Sequence, residues 1–87
     1  MGAARIVRLP SLHPRMEPAI LLQWLKDEGD PVGRGEALYV VETRKAVFEL
    51  PSEFEGTVER LLVAAGTPVT AGQEIARIRT HPPGGRR

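Results

Sequence analysis

The chain has 87 residues, a hydrophobic content of 41% and a formal net charge of +1. This length allows one domain with one modest core, and acids interspersed with bases give no sign of a nucleic-acid surface. The absence of cysteine excludes disulfides and a thiolate nucleophile, and no apolar run approaches the ~20 residues that cross a bilayer.

Short segments rich in Val, Ile and Leu alternate with Gly and Pro along the whole chain. None carries an apolar 3.6-residue period of helical length, so we expect strands arranged as a sandwich or barrel. The tail from His81 has no core-forming side chains, and we expect residues 81–87 to be a disordered end or a linker stub. The expected strands cover residues 5–9, 19–26, 37–42, 46–50, 57–63 and 74–79.

An internal repeat supports the β interpretation. At an offset of 37 residues, a Gly-x-Pro-Val-x-x-Gly segment recurs at 29–35 and 66–72. The glycines suit turns that need positive φ, and we expect Val32 and Val69 to insert into the core between the turns. Two such halves predict a pseudo-twofold structure.

Residues 39–50 are predicted to form a hairpin with Arg44 and Lys45 at its tip. Because neither tip residue is Gly or Asn, a type I turn is favoured over the primed types. This register places an apolar set on one sheet face and a mixed set on the other, and slipping by one residue would destroy that match. The expected cross-strand pairs are Tyr39–Leu50, Val40–Glu49, Val41–Phe48, Glu42–Val47 and Thr43–Ala46.

Of the 12 Lys and Arg residues only Lys26 and Lys45 are lysines. Lysine can form an amide, whereas arginine cannot. Lys45 is expected at an exposed tip and Lys26 as an ordinary outward strand residue. His13 and His81 have no neighbours at ligand spacing, so no metal site is expected.

The segment Glu42-Thr43-Arg44-Lys45-Ala46, followed by Phe48-Glu49 and Gly56-Thr57-Val58, resembles the lipoylation motif of acyltransferase components of 2-oxoacid dehydrogenase complexes. The likeness extends over roughly residues 5–79. It includes Leu9-Pro10-Ser11-Leu12 with Met16-Glu17, Trp24-Leu25-Lys26, Glu28-Gly29-Asp30-Pro31-Val32, and Gly66, Val69, Gly72 and Ile75. Ordered spacing of this extent is far more specific than the five-residue motif.

The resemblance implies an all-β barrel-sandwich hybrid: a flattened barrel of two four-stranded antiparallel sheets with pseudo-twofold symmetry, spanning residues 4–80. It implies covalent lipoic acid on Lys45, recognised through Glu42, Thr43, Arg44 and Ala46, and no catalytic residue in the domain itself. It also places the modified lysine at one end and both termini at the other.

The implied partners are a thiamine-diphosphate-dependent 2-oxoacid decarboxylase, an acyltransferase core, a dihydrolipoamide dehydrogenase and a lipoate ligase or transferase. The chain would then be part of a dihydrolipoamide acyltransferase. It would act in a bacterial cytoplasm or a mitochondrial matrix, with neither nucleic acid nor membrane as partner.

The sequence departs from the family pattern at a few positions. Arg44 replaces the usual acidic residue before the lysine, which affects recognition by the decarboxylase. Ala19 replaces a common glycine, with Pro18 before it, a change expected to alter only a surface turn.

Two other functions share this fold. A biotin carrier would usually have methionine on both sides of its lysine, whereas Lys45 is flanked by Arg44 and Ala46. An unmodified docking or assembly domain would make Lys45 an ordinary turn residue.

The facing of the strands predicts a buried set and an exposed pair. Val47 and Glu49 are expected to face outward near the tip. The side chains expected in the core are Leu25, Val32, Val41, Phe48, Leu62, Val69, Ile75 and Ile78.

Overall fold

A computed structural model describes residues 3–12 and 19–80. Eight strands account for most of these residues, and no described segment is helical. No described helix is therefore a candidate for a membrane span. The strands are β1 Ala3–Arg8, β2 Ala19–Trp24, β3 Pro31–Val32, β4 Ala37–Glu42, β5 Val47–Pro51, β6 Gly56–Leu61, β7 Thr67–Val69 and β8 Glu74–Thr80.

The strands form two four-stranded sheets with the orders β1-β8-β6-β3 and β5-β4-β2-β7. Every pairing is antiparallel. The all-β fold with two four-stranded sheets is thus confirmed. The sequence did not predict β3 and β7 as strands, because they comprise two and three residues inside the repeated turn segment.

The repeat seen in the sequence recurs in the backbone hydrogen bonds. The amide of Gly29 donates to Val58 at 2.7 Å, and 37 residues later the amide of Gly66 donates to Leu21 at 2.6 Å. Each half thereby sends its short strand across to the other half's sheet, since β3 pairs with β6 and β7 pairs with β2. This exchange joins the two halves into one pseudo-twofold body.

The turn glycines have the conformation that the repeat predicts. All positive φ values among the described residues belong to glycine, and they lie between 84° and 93°. A side chain is disfavoured in this region of backbone space, which explains glycine at these positions. The residues concerned are Gly29, Gly35, Gly66 and Gly72.

The core lies between the inner faces of the two sheets. Val32 and Val69 are buried as expected, and so are Val41, Ile75 and Ile78. Other residues of the core are Val7, Leu9, Ala19, Leu21, Leu38, Tyr39, Val58, Val63 and Ala76.

Three core expectations need correction, and so does that for Ala19. Leu62 is 38% exposed, while Leu25 and Phe48 are only partly buried. Leu25 and Leu62 follow the ends of β2 and β6, where strand alternation no longer sets the facing of a side chain. Ala19 is completely buried at the start of β2 rather than in a surface turn.

The path of the first half defines two ends of the molecule. β2 begins beside the end of β4, where Ile20 pairs with Glu42. The chain then continues along β6 in the opposite direction until Val32 meets Gly56. Gly56 pairs in turn with Thr80, the last residue of β8.

Candidate functional site

The β4–β5 hairpin has the register that the sequence predicts. Val41 faces Phe48 and Glu42 faces Val47 across the two strands. Val41 is completely buried whereas Val47 is 59% exposed, so the hairpin presents one face to the core and one to solvent. The remaining expected pairs, Tyr39–Leu50 and Val40–Glu49, are also present, and Glu49 faces outward as expected.

The tip spans residues 43–46 and is organised by a threonine side chain. The Thr43 hydroxyl accepts hydrogen bonds from the amides of Lys45 at 3.3 Å and Ala46 at 3.2 Å. It also lies 3.2 Å from the Ala46 carbonyl, to which it donates, and the Thr43 amide donates to the same carbonyl at 2.8 Å. These bonds close the turn around Lys45.

The backbone of the tip rules out the mirror-image turns. No described non-glycine residue has a positive φ, whereas types I′ and II′ require one within the turn. The preference for an unprimed turn is confirmed. The sequence analysis grouped Thr43 with the recognition residues and missed its hydrogen bonds; a hydroxyl two residues before the lysine was the available signal.

The structure places the predicted site residues together at this tip. Arg44, Lys45 and Ala46 are exposed, Glu42 is exposed at the end of β4, and Thr43 is partly exposed beneath them. Among the ion pairs of the described residues none includes the Lys45 ammonium. An exposed primary amine on an ordered turn is well suited to form an amide with an activated carboxyl group.

Lys26 has a different environment. It lies two residues beyond β2 rather than in a strand, and its Nζ contacts Glu36 Oε2 at 2.6 Å. The Lys26 side chain is 25% exposed. Its hydrogen bond, with the Gly33 amide as a second donor, lowers the pKa of the Glu36 carboxyl. Lys26 is thus engaged in an ion pair, whereas Lys45 is presented to solvent.

The described residues contain no group of three His, Asp or Glu side chains that could hold a metal ion. His13 and His81 lie outside the residues that the structure describes. So does the predicted tail, residues 81–87.

The tip and the described chain ends lie at opposite ends of the molecule. Ala3 pairs with Thr80, and the Thr80 hydroxyl donates to the Ala3 carbonyl at 2.8 Å. That pair adjoins Gly56, whereas the tip adjoins Ile20 at the beginning of β2. A tether at either chain end therefore leaves the tip unobstructed.

Comparison with known proteins fixes the family. The pattern of the family described as "Biotin-requiring enzyme" (biotin and lipoyl attachment) matches residues 6–78. The chain belongs to this biotin/lipoyl-attachment family. Within it, the chain is similar to lipoyl-bearing proteins.

Three relatives show where such domains occur. The chain is 46% identical over 61 residues to the pyruvate dehydrogenase E1 component subunit beta of Rhizobium meliloti, covering 70% of this chain and 13% of the relative. It is 43% identical over 61 residues to the dihydrolipoyllysine-residue acetyltransferase component of the same organism, covering 70% and 14%. It is 38% identical over 78 residues to the dihydrolipoyllysine-residue succinyltransferase component of Rickettsia bellii, covering 90% and 19%. The chain therefore spans less than a fifth of the length of these relatives.

A solved structure supports the fold. The lipoyl domain of the 2-oxoglutarate dehydrogenase complex from Azotobacter vinelandii superposes with a TM-score of 0.69 at 24% identity. The match covers 88% of this chain and 98% of that one. The architecture of the chain is that of a lipoyl domain, and a lipoyl carrier role follows from the family and the relatives together.

Proposed function

We propose that Lys45 carries lipoate in amide linkage and that the domain moves acyl groups between the active sites of a 2-oxoacid dehydrogenase complex. One observation carries the proposal: Lys45 is presented on a closed, exposed tip at the end of the molecule opposite the described chain ends. The other lysine, Lys26, is held in an ion pair.

The chemistry required of the chain itself is limited. Attachment forms one amide bond between Lys45 Nζ and the carboxyl carbon of an activated lipoyl donor, with loss of an amine proton and departure of the activating group. The bound disulfide of lipoate supplies reductive acylation and thiol acyl transfer. The protein contributes position, since tethering keeps the arm at high local concentration near each partner site.

The proposed partners follow from this role. They are a thiamine-diphosphate-dependent decarboxylase, an acyltransferase core, a dihydrolipoamide dehydrogenase and a lipoate ligase or transferase. The relatives named above are components of such complexes, one of them a decarboxylase subunit. We also propose that the chain acts in a bacterial cytoplasm or a mitochondrial matrix.

Two matched variants test the attachment site. The wild-type domain, Lys45→Arg and Lys26→Arg are each incubated with a lipoate ligase and lipoate, and intact masses are measured. Arginine preserves the charge at both positions and the ion pair to Glu36, but it cannot be acylated. We expect a lipoyl increment in the wild type and in Lys26→Arg, and none in Lys45→Arg. An increment that persists in Lys45→Arg would refute the assignment.

Arg44 is proposed as a specificity element beside this lysine. Acylation removes the charge of Lys45, so Arg44 becomes the remaining cation of the tip, between Glu42 and Glu49 along the chain. A decarboxylase with an acidic rim would suit this tip. Reductive acylation of the lipoylated Arg44→Asp variant by the domain's own decarboxylase should be slower than that of the wild type. Equal rates at low and high salt would leave Arg44 without that role.

A further inference from the structure

One sheet exposes an unusual amount of apolar surface beside Lys45. Ile20 is 37% exposed, Leu22 is 41% exposed and Val47 is 59% exposed. Ile20 and Leu22 lie on β2 and Val47 on β5, and both strands belong to the sheet β5-β4-β2-β7. These three residues are named here the tip-side patch.

The register aligns part of this patch in one row across the sheet. Val47 pairs with Glu42, Glu42 pairs with Ile20, and Ile20 pairs with Pro68. All four side chains of the row are exposed. With strands about 4.8 Å apart, the row extends roughly 10 Å from β5 to β2. It begins two residues after Lys45.

The pseudo-twofold symmetry supplies an internal comparison for this row. The equivalent row of the other sheet runs from Ala4 to Arg79, Thr57 and Pro31. Thr57 thus takes the place of Ile20, and Ala4 takes that of Val47. One row is apolar around a single carboxylate, whereas the other is small, polar and cationic.

The bulge residues of the two sheets differ in the same way. Leu22 lies in a register shift of β2, and the equivalent residue Glu59 lies in a register shift of β6. Glu59 Oε2 accepts a hydrogen bond from Arg79 at 2.5 Å. Since the same backbone accommodates a polar, ion-paired outer face, the fold does not require the tip-side patch to be apolar.

An occupant tethered at Lys45 accounts for the position of the patch. The methylene stem of a lysine joined to a lipoyl chain is long, apolar and neutral at its amide, so it can cover such a row without burying a charge. We infer that the lipoyl-lysine arm rests on the tip-side patch, against Val47, Ile20 and Leu22, between visits to partner sites. This inference rests on the proposed attachment at Lys45.

The first test compares methyl NMR spectra of the unmodified and lipoylated domains, after intact mass has confirmed that Lys45 is modified. We expect shifts of the Ile20, Leu22 and Val47 methyl signals and NOEs from them to the dithiolane protons. Leu62, which is 38% exposed and lies beyond β6, is the matched control and should not shift. Changes confined to the tip would overturn the inference and leave attachment intact, whereas absence of the mass increment would refute the attachment.

The second test exchanges residues between the two halves. Ile20→Thr and Leu22→Glu install in β2 the residues that β6 carries at equivalent positions, so the fold should accept them. Reduction of the lipoyl disulfide by dithiothreitol, a neutral reductant, should accelerate about fourfold in Leu22→Glu, the factor for one exposed methylene equivalent. Leu62→Glu adds the same charge elsewhere and should react like the wild type. Equal rates in all three proteins would contradict a resting arm and leave the patch to a partner protein.

Discussion

At the residue scale, Thr43 explains how a tip without glycine or asparagine can be closed. Its hydroxyl bonds the amides of Lys45 and Ala46 and the carbonyl of Ala46. Backbone groups that the short turn would leave to water are thereby satisfied locally. The tip holds Lys45 in one position while its side chain remains free to extend.

Replacing Thr43 by valine should loosen the tip. Valine has a similar shape but makes none of the three hydroxyl hydrogen bonds. A net loss of about 1 kcal/mol corresponds to roughly fivefold faster hydrogen exchange at the Ala46 amide. Exchange measured by NMR checks this, with Thr43→Ser as the control that keeps the hydroxyl. Exchange in Thr43→Val that equals the wild type would show that the hydroxyl does not hold the turn.

Tyr39 has a distinct acid–base signature. Burial of its side chain, assisted by the charge of Glu53, raises the pKa of the Tyr39 phenol to about 12. Trp24 lies beside it, with ring centroids 5.5 Å apart. The folded state therefore holds the phenolic proton more tightly than the unfolded chain, whose tyrosine titrates near ~10.

The sign of this shift predicts an alkaline limit to stability. The contribution of neutral Tyr39 is fully present below about pH 10 and is lost as the pH rises through about 12. Because Tyr39 is the only tyrosine in the sequence, ultraviolet absorbance of the phenolate follows it without interference. The folded protein should titrate well above the same chain in denaturant. Coincident titration curves would contradict the burial of Tyr39.

At the scale of single elements, sequence periodicity predicted the hairpin well and the strand ends poorly. Alternation over residues 39–50 fixed every pair of β4 with β5, because a slip would have moved an apolar face into water. β3 and β7 are too short to show alternation, and their pairing is set by the other half of the chain. Leu62 was misplaced because the expected strand ran two residues past the end of β6.

The strand facing can be tested with two aliphatic truncations. Ile75 is completely buried in β8 and Leu62 is 38% exposed. Ile75→Ala should lower the free energy of unfolding by about 2–4 kcal/mol, as truncation of a buried aliphatic side chain does. Leu62→Ala should cost less than about 1 kcal/mol. Similar losses in a urea titration of both variants would mean that the facing is wrong.

At the scale of the whole molecule, the two halves are similar but not interchangeable. Gly56 in β6 and Ala19 in β2 are equivalent in the repeat, and both are buried. A Cβ added at Gly56 would lie 2.1 Å from the Arg79 carbonyl oxygen. This close approach occurs where β6 and β8 meet near the described chain ends, and the sequence alone gave no sign of it.

Gly56→Ala should therefore be far more damaging than the reverse exchange in the other half. The backbone of β8 must move to admit the methyl group, at a cost of about 3 kcal/mol or more. Ala19→Gly removes one buried methyl group and should cost about 1 kcal/mol. Thermal unfolding of both variants measures the difference. Equal stabilities would contradict the close packing of β6 against β8.

The central claim is that Lys45 is a lipoyl attachment site in the living cell. Mass spectrometry of proteolytic peptides from the protein isolated from its native host tests this claim directly. The peptide that contains Lys45 should carry a lipoyl increment, and the peptide that contains Lys26 should be unmodified. A biotinyl increment on Lys45 would identify a biotin carrier instead, and an unmodified Lys45 in actively growing cells would indicate a docking domain and contradict the claim.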